Sequence, residues 1–122
     1  MTKILILMLL LAFPLVLFSG PIEGVYNISG WDPYEKQNYT GTAIITPDKN
    51  HVYQISWLFN DGEKYRGTGF VTGNQFNAVF SEIEPSGKLI GLQTYQISEN
   101  SLEGNWVLLN KTLVGTEKLT RR

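Results

Sequence analysis

Glu117 is the residue whose type and position could carry chemistry. In "LVGTEKL", residues 113–119, it shares the alternation of Leu113, Gly115 and Leu119, so a carboxylate falls where apolar side chains recur. On a buried strand face such a group must accept hydrogen bonds or pair with a cation, because an unpaired buried charge costs several kcal/mol. Two roles meet that requirement. Glu117 can be a structural acid, bonded to Tyr26, Tyr95 or another strand's hydroxyl, or to Arg66 or Arg121. It can also be the orienting acceptor of a ligand pocket, where a few polar groups set specificity among many apolar ones. Trp31, Tyr39, Trp57, Tyr65 and Trp106 are the aromatic residues that could wall such a pocket, and with Glu117 they form the candidate ligand-binding set.

Other chemistry is poorly supplied. The one histidine, His51, falls at a tight turn, without the orienting acid in a cleft that a Ser-His-Asp arrangement needs. No catalytic residue is assigned, and the expectation is a protein that is not an enzyme. With no cysteine there is no disulfide framework, thiolate nucleophile or zinc cluster. Glu82 and Glu84 are a sparse pair for calcium, with no dense loop of oxygen ligands around them, so neither a metal nor a cofactor is expected. Ten basic residues oppose eleven acidic ones, and no basic stripe exists to follow a phosphate backbone, which argues against nucleic acid as a partner. Asn27, Asn38 and Asn110 each begin an Asn-x-Ser/Thr sequon, relevant only in a eukaryotic secretory pathway.

The elements that must position these residues are strands. From Gly24 onward the apolar period is two, and no stretch repeats at three and four over helical length. Strands are predicted at 24–30, 39–46, 51–59, 64–71, 75–81, 88–97, 101–109 and 113–120, separated by turn signals such as "PDKN", "NDGE", "TGN" and "EPSG". A meander of eight strands has two exposed edges unless it closes, so the predicted fold class is all-β, an eight-stranded antiparallel up-and-down β-barrel. Its inward face holds Tyr26, Ile28, Trp57, Phe76, Phe80, Trp106 and Glu117 among others, and the less regular alternation after Lys88 adds Leu89, Gly91, Tyr95 and Ile97.

A bulky residue followed two places later by glycine recurs in "YTG", "YRG", "LEG" and "LVG". Strand glycines of this kind mark bends or space beneath a large ring. The longer connections, including Trp31 to Asn38, fall on one rim, which is the predicted mouth. A barrel of eight strands is just wide enough to be filled by side chains or to hold one small ligand. The number of inward rings points to a mostly filled interior, with any cavity shallow and near the mouth.

Residues 1–20 have the plan of a secretory signal, Lys3 followed by an apolar run from Ile4 to Phe18. The run is interrupted by Pro14 and is short for a membrane span, so a cleaved leader is favoured over a short anchor, and an uncleaved leader would be the chain's only link to a membrane. The expected organisation is a signal segment over 1–20 and a barrel domain over 21–122, in a secreted, periplasmic or cell-envelope protein.

Two resemblances follow from these motifs. "GVYNISG", "YTGTAII", "YQISW", "YRGTGFVTGNQF", "TYQI", "LEGNW" and "GTEKL", in that order, resemble a group of small exported bacterial proteins sometimes labelled fibronectin-binding, a label that implies a host or matrix partner. "GVYNISG" and "GNWVLLNKTLVGTEKL" are similar to the first and last strands of avidins, in the lipocalin-like barrel superfamily. That likeness implies that Asn27 matches a ureido-contacting asparagine, Trp106 a wall tryptophan and Glu117 the aspartate at the pocket floor. The middle strands lack the avidin tryptophan and serine-threonine pattern, and Asn27 falls on the outward alternation. The sequence reading is therefore an exported, non-enzymatic binding module that takes a small apolar or aromatic ligand at the long-loop mouth. The alternative is a filled barrel that contacts an extracellular matrix or envelope protein.

Overall fold

The structure, a computed structural model, describes residues 21–122, so the predicted signal segment lies outside the described residues. Eight strands follow one another in chain order: β1 (Gly24–Asp32), β2 (Gln37–Pro47), β3 (Val52–Phe59), β4 (Lys64–Thr72), β5 (Gln75–Glu84), β6 (Ile90–Ile97), β7 (Ser101–Leu108) and β8 (Gly115–Arg121). Each pairs antiparallel with the next, and β8 returns to β1 through Tyr26↔Arg121, Ile28↔Leu119 and Gly30↔Glu117, closing the barrel. Closure leaves no unpaired edge on which another chain could template. The period of two is plain in β6, which alternates exposed and buried along all eight of its residues.

The barrel is filled from one end only. At the end that carries the turns 48–51, 73–74 and 98–100, Ile22, Tyr26, Ile45, Ile55, Phe76, Tyr95, Leu102 and Leu119 are all but inaccessible. Phe76 stacks on Tyr95 with ring centroids 6.1 Å apart, and Tyr53 meets Phe76 edge to face. Fully burying side chains of this size contributes roughly 1.5–3 kcal/mol each, which makes this half the energetic base of the fold. The segment before β1 seals the same end. Ile22 is buried, its carbonyl accepts the Tyr26 hydroxyl at 2.6 Å, and Arg121 donates to the carbonyls of Glu23 and Pro21 while lying 5.0 Å over the Tyr26 ring.

Several predicted boundaries move. β1 and β2 run further than expected, so Trp31 pairs with Asn38 inside the ladder and the connection shrinks to residues 33–36. Asp32 shapes that connection by accepting the amides of Tyr34 and Glu35 on Oδ1. β8 begins at Gly115, which leaves Leu113 47% exposed in the preceding loop rather than inside the barrel. β6 begins at Ile90, so Leu89 belongs to the rim. His51 lies in a short 3₁₀ turn (Lys49–His51) at the filled end and is exposed.

Candidate functional site

Above the filled half the barrel opens into a cavity of about 450 Å³, reached between the loops 33–36, 60–63 and 85–89. Its volume is within the range of small-molecule sites, roughly 300–1,000 Å³. The interior is thus neither filled throughout nor hollowed only at the rim: the cavity reaches down to Glu117, which is 4% exposed.

The space exists because glycines on neighbouring strands let large rings lie flat against the wall. Gly30 faces Tyr39, Gly91 faces Phe80 and Gly115 faces Trp106 across the ladder, and a Cβ on any of the three would fall within the opposing ring. Gly67 makes similar room for the Trp57 indole. Edge-to-face pairs then link the rings around the wall, from Trp57 to Phe80, Phe80 to Tyr65, Tyr65 to Phe59, and Phe59 to Tyr39. Such contacts add about 0.5–1.5 kcal/mol per pair beyond area burial and hold the wall in one arrangement.

Glu117 is the centre of the polar floor. Its Oε1 accepts the Tyr39 hydroxyl at 2.9 Å, and its Oε2 accepts Trp57 Nε1 at 2.9 Å together with the Tyr95 hydroxyl. Indole N–H groups can only donate, so they fix the direction of the network. Trp106 Nε1 donates to the Tyr39 hydroxyl at 2.9 Å, and Trp57 Nε1 also lies 3.1 Å from the Tyr95 hydroxyl. Each phenol therefore accepts from a tryptophan and passes its own proton toward the carboxylate.

Burial pushes the Glu117 carboxyl above the usual carboxylate range, and the bonds from Tyr95, Tyr39 and Trp57 pull it only part of the way back. Burial first, then the neighbouring Glu117 charge, holds the Tyr95 and Tyr39 hydroxyls well above their ordinary range, so both remain donors. The arrangement has the hydrogen-bond partners expected of a structural acid, drawn from Tyr95 and Tyr39. Tyr26 and Arg121 instead serve the sealed end.

Of the predicted binding residues, Tyr39, Trp57, Tyr65, Trp106 and Glu117 line this one cavity. Trp31 does not. Gly30 takes the inward position, so Trp31 faces outward and is 39% exposed, while its near neighbour in sequence Tyr34 reaches the mouth and packs 6.2 Å from Trp106. Asn27 also lies on the outer face, where its Oδ1 accepts Arg122 Nε at 2.8 Å.

Three polar residues that line the cavity, two inside and one at the rim, are absent from the predicted set. Gln93, 2% exposed, gives its amide hydrogens to backbone carbonyls, Thr94 at 2.9 Å and Asn105 at 3.1 Å, and its Oε1 takes no hydrogen bond. Glu82, 7% exposed, is covered by the turn that follows it: Ser86 Oγ and the Lys88 amide both donate to its Oε1. The Ser86 bond lowers its pKa more than burial raises it. Glu63 stands beside Asp61 and Tyr65 at the rim, and burial, then its hydrogen bond with Asp61 and that neighbour's charge, pushes it up to about 7. The signal for Gln93 and Glu82 was their place in the alternation Gly91-Gln93-Tyr95 and Phe80-Glu82.

Comparison with known proteins adds the fold and little else. No protein-family model matches the chain. It is 29% identical over 118 residues to a probable mRNA-capping enzyme of Acanthamoeba polyphaga mimivirus, a match covering 84% of this chain and 10% of that protein. The chain thus spans about a tenth of that relative's length. Among solved structures, a redesigned β-barrel, b11L5F_LGL, superposes with a TM-score of 0.72 at 11% identity, covering 83% of this chain and 91% of its own. The redesigned barrel mFAP1, bound to DFHBI, gives 0.69 at 15% identity, with 82% and 94% covered. A fluorescence-activating β-barrel designed de novo gives 0.64 at 15%, with 83% and 94% covered. At these identities the likeness defines a closed eight-stranded β-barrel and carries no activity across.

Proposed function

We propose that this protein is a non-enzymatic binding module that holds one small, largely apolar or aromatic molecule in the open half of its barrel. The observation that carries the reading is a ring-walled cavity of about 450 Å³ with a fixed polar floor at Glu117. An aromatic wall supplies affinity by burial, and a few oriented polar atoms at its base supply selectivity. The apolar leader from Ile4 to Phe18 supports action outside the cytoplasm, secreted or in the cell envelope.

Trp57 and Trp106 lie in the wall, so their emission reports occupancy directly. Titration with a panel of small aromatic compounds should shift or quench it saturably, at one molecule per chain. A panel that leaves the emission unchanged would overturn the reading. Intact mass of protein recovered from an expressing cell, native and then denatured, gives a second check through any adduct lost on denaturation. The denatured mass also reports whether the leader is removed.

A further inference from the structure

The charges around the cavity are one-sided. Asp32, Glu35, Asp61, Glu63, Glu82 and Glu117 line it, and no lysine, arginine or histidine does. Among the described residues the one side-chain ion pair joins Lys64 to Glu84 at 3.9 Å, and neither residue lines the cavity. Two of the six have local duties, since Asp32 and Asp61 each give an oxygen to the amides of their own turns. A third, Glu35, accepts the Gln37 amide at 2.8 Å, which leaves Glu63, Glu82 and Glu117.

The donors of the inner wall are already spent. Both tryptophan N–H groups and the hydroxyls of Tyr39 and Tyr95 are consumed within the Glu117 network. What the wall still offers is acceptors. Gln93 Oε1 is unpartnered on a residue that is only 2% exposed, and it can face only the space it lines because the amide hydrogens are fixed on the opposite side by backbone carbonyls. Glu82 is held in its charged form by Ser86 Oγ and by amides of the turn that covers it, so it brings a negative charge to the same cavity. Trp57, Tyr65 and Phe80 line the same cavity, and aromatic faces attract cations through their quadrupole.

We infer that the cavity selects an organic ammonium ion, a primary or quaternary amine on an apolar or aromatic body, with its cationic head toward Glu82, its body against the rings and Gln93 Oε1 a further acceptor deeper in the barrel. The inference rests on the ligand-binding reading above. An organic cation suits the site better than a metal ion: among the described residues no three acidic or histidine side chains converge closely enough to ligate one.

The test is calorimetric titration of the full chain at pH 8 with probes that share one body and differ in charge: 2-phenylethylammonium, 2-phenylethanol and phenylacetate, with phenyltrimethylammonium as the quaternary case. The ammonium ions should bind at least about tenfold tighter than the alcohol, as expected for a desolvated charge among π-faces and acceptors. The anion should bind more weakly than either. Half-molar salt should reduce the ammonium advantage and leave the alcohol's affinity little changed. Glu82→Gln, and independently Glu63→Gln in case the first variant fails to fold, should narrow the ammonium-to-alcohol ratio by about threefold or more. Equal affinity for ammonium and alcohol would overturn the charge selectivity and leave the pocket reading standing. Failure of every probe to bind, with unchanged tryptophan emission, would overturn both.

Discussion

At the scale of single residues, Glu117 is both a structural centre and the floor of the cavity. Glu117→Ala leaves the Tyr95 hydroxyl without its acceptor and reduces Tyr39 and Trp57 Nε1 to the Thr116 carbonyl and the Tyr95 oxygen, each at 3.1 Å, and the expected loss of stability in urea unfolding is on the order of 3 kcal/mol. Glu117→Gln keeps one carbonyl acceptor but turns an amide N–H₂ toward groups that donate, so a loss of about 1–2 kcal/mol is expected. If Gln costs as much as Ala, the network depends on the full carboxylate. Were neither to lower stability, the structural account of Glu117 would be wrong.

Glu63 gives a pH signature of opposite character to a salt-bridged acid. Its folded pKa, about 7, exceeds the ordinary 4.5, so the folded state favours the protonated form. The associated stability is full below about pH 4.5 and is lost as pH rises through 7. Asp61 from its own loop, Glu82 and Tyr65 are the groups that face it, and Glu82 carries the reverse dependence because its pKa is lowered. Comparing wild type with Glu63→Gln isolates the first effect. The wild type should lose stability relative to the variant as pH rises from the ordinary 4.5 through about 7, measured by urea midpoints, and parallel pH profiles would remove Glu63 as the source.

At the scale of elements, the recurring glycines separate into two kinds. A Cβ on Gly104 would strike the Thr94 carbonyl, and one on Gly69 would strike the Asn77 carbonyl, so neighbouring strands must part to admit it. A Cβ on Gly115 meets the Trp106 ring, which can swing into the cavity. Gly104→Ala should therefore cost about 1–3 kcal/mol with the cavity unaltered, whereas Gly115→Ala should change tryptophan emission and weaken ligand binding at a smaller stability cost. Loss of the Trp106 to Tyr39 hydrogen bond accompanies the second. Equal effects of the two substitutions on emission would contradict this division.

The strands and most of the inner face are legible in the sequence because alternation with a period of two leaves few other solutions, as in "FNAVF" and "YQISW". The exceptions have physical reasons. Gln93 breaks the rule that inward residues are apolar, and it is tolerated because two backbone carbonyls accept its amide. Glu82 precedes Pro85-Ser86-Gly87 and so looks like a turn residue, yet β5 continues through Glu84 across a register shift at Lys64/Tyr65. Trp31 is misplaced by its apparent position in a loop, because the ladder extends past it and parity then decides its face. The size of the cavity is not legible at all: it depends on which rings lie flat over glycines of the next strand, a tertiary relation.

At the scale of the whole molecule, the filled core and the open cavity occupy opposite halves. Ile22 anchors the filled half from outside the strands, and Ile22→Ala should lower stability by about 2–5 kcal/mol, as for other fully buried large-to-small changes. A change below about 1 kcal/mol would mean that the segment before β1 is only draped on the barrel. The outer face of β4 to β6 exposes Phe70, Val79 and Leu92, whereas the hydrogen-bond network of Glu117 is internal.

The seal made by Pro21, Ile22 and Arg121 also settles which way the molecule can be held. Both ends of the described chain emerge at the closed base, whereas the ring-lined opening is at the far end of the strands. A tether attached at either end, whether a lipid surface, a bead or a fused domain, would act like a stem beneath a cup, leaving the opening pointed away from the support and free to exchange its contents with the medium.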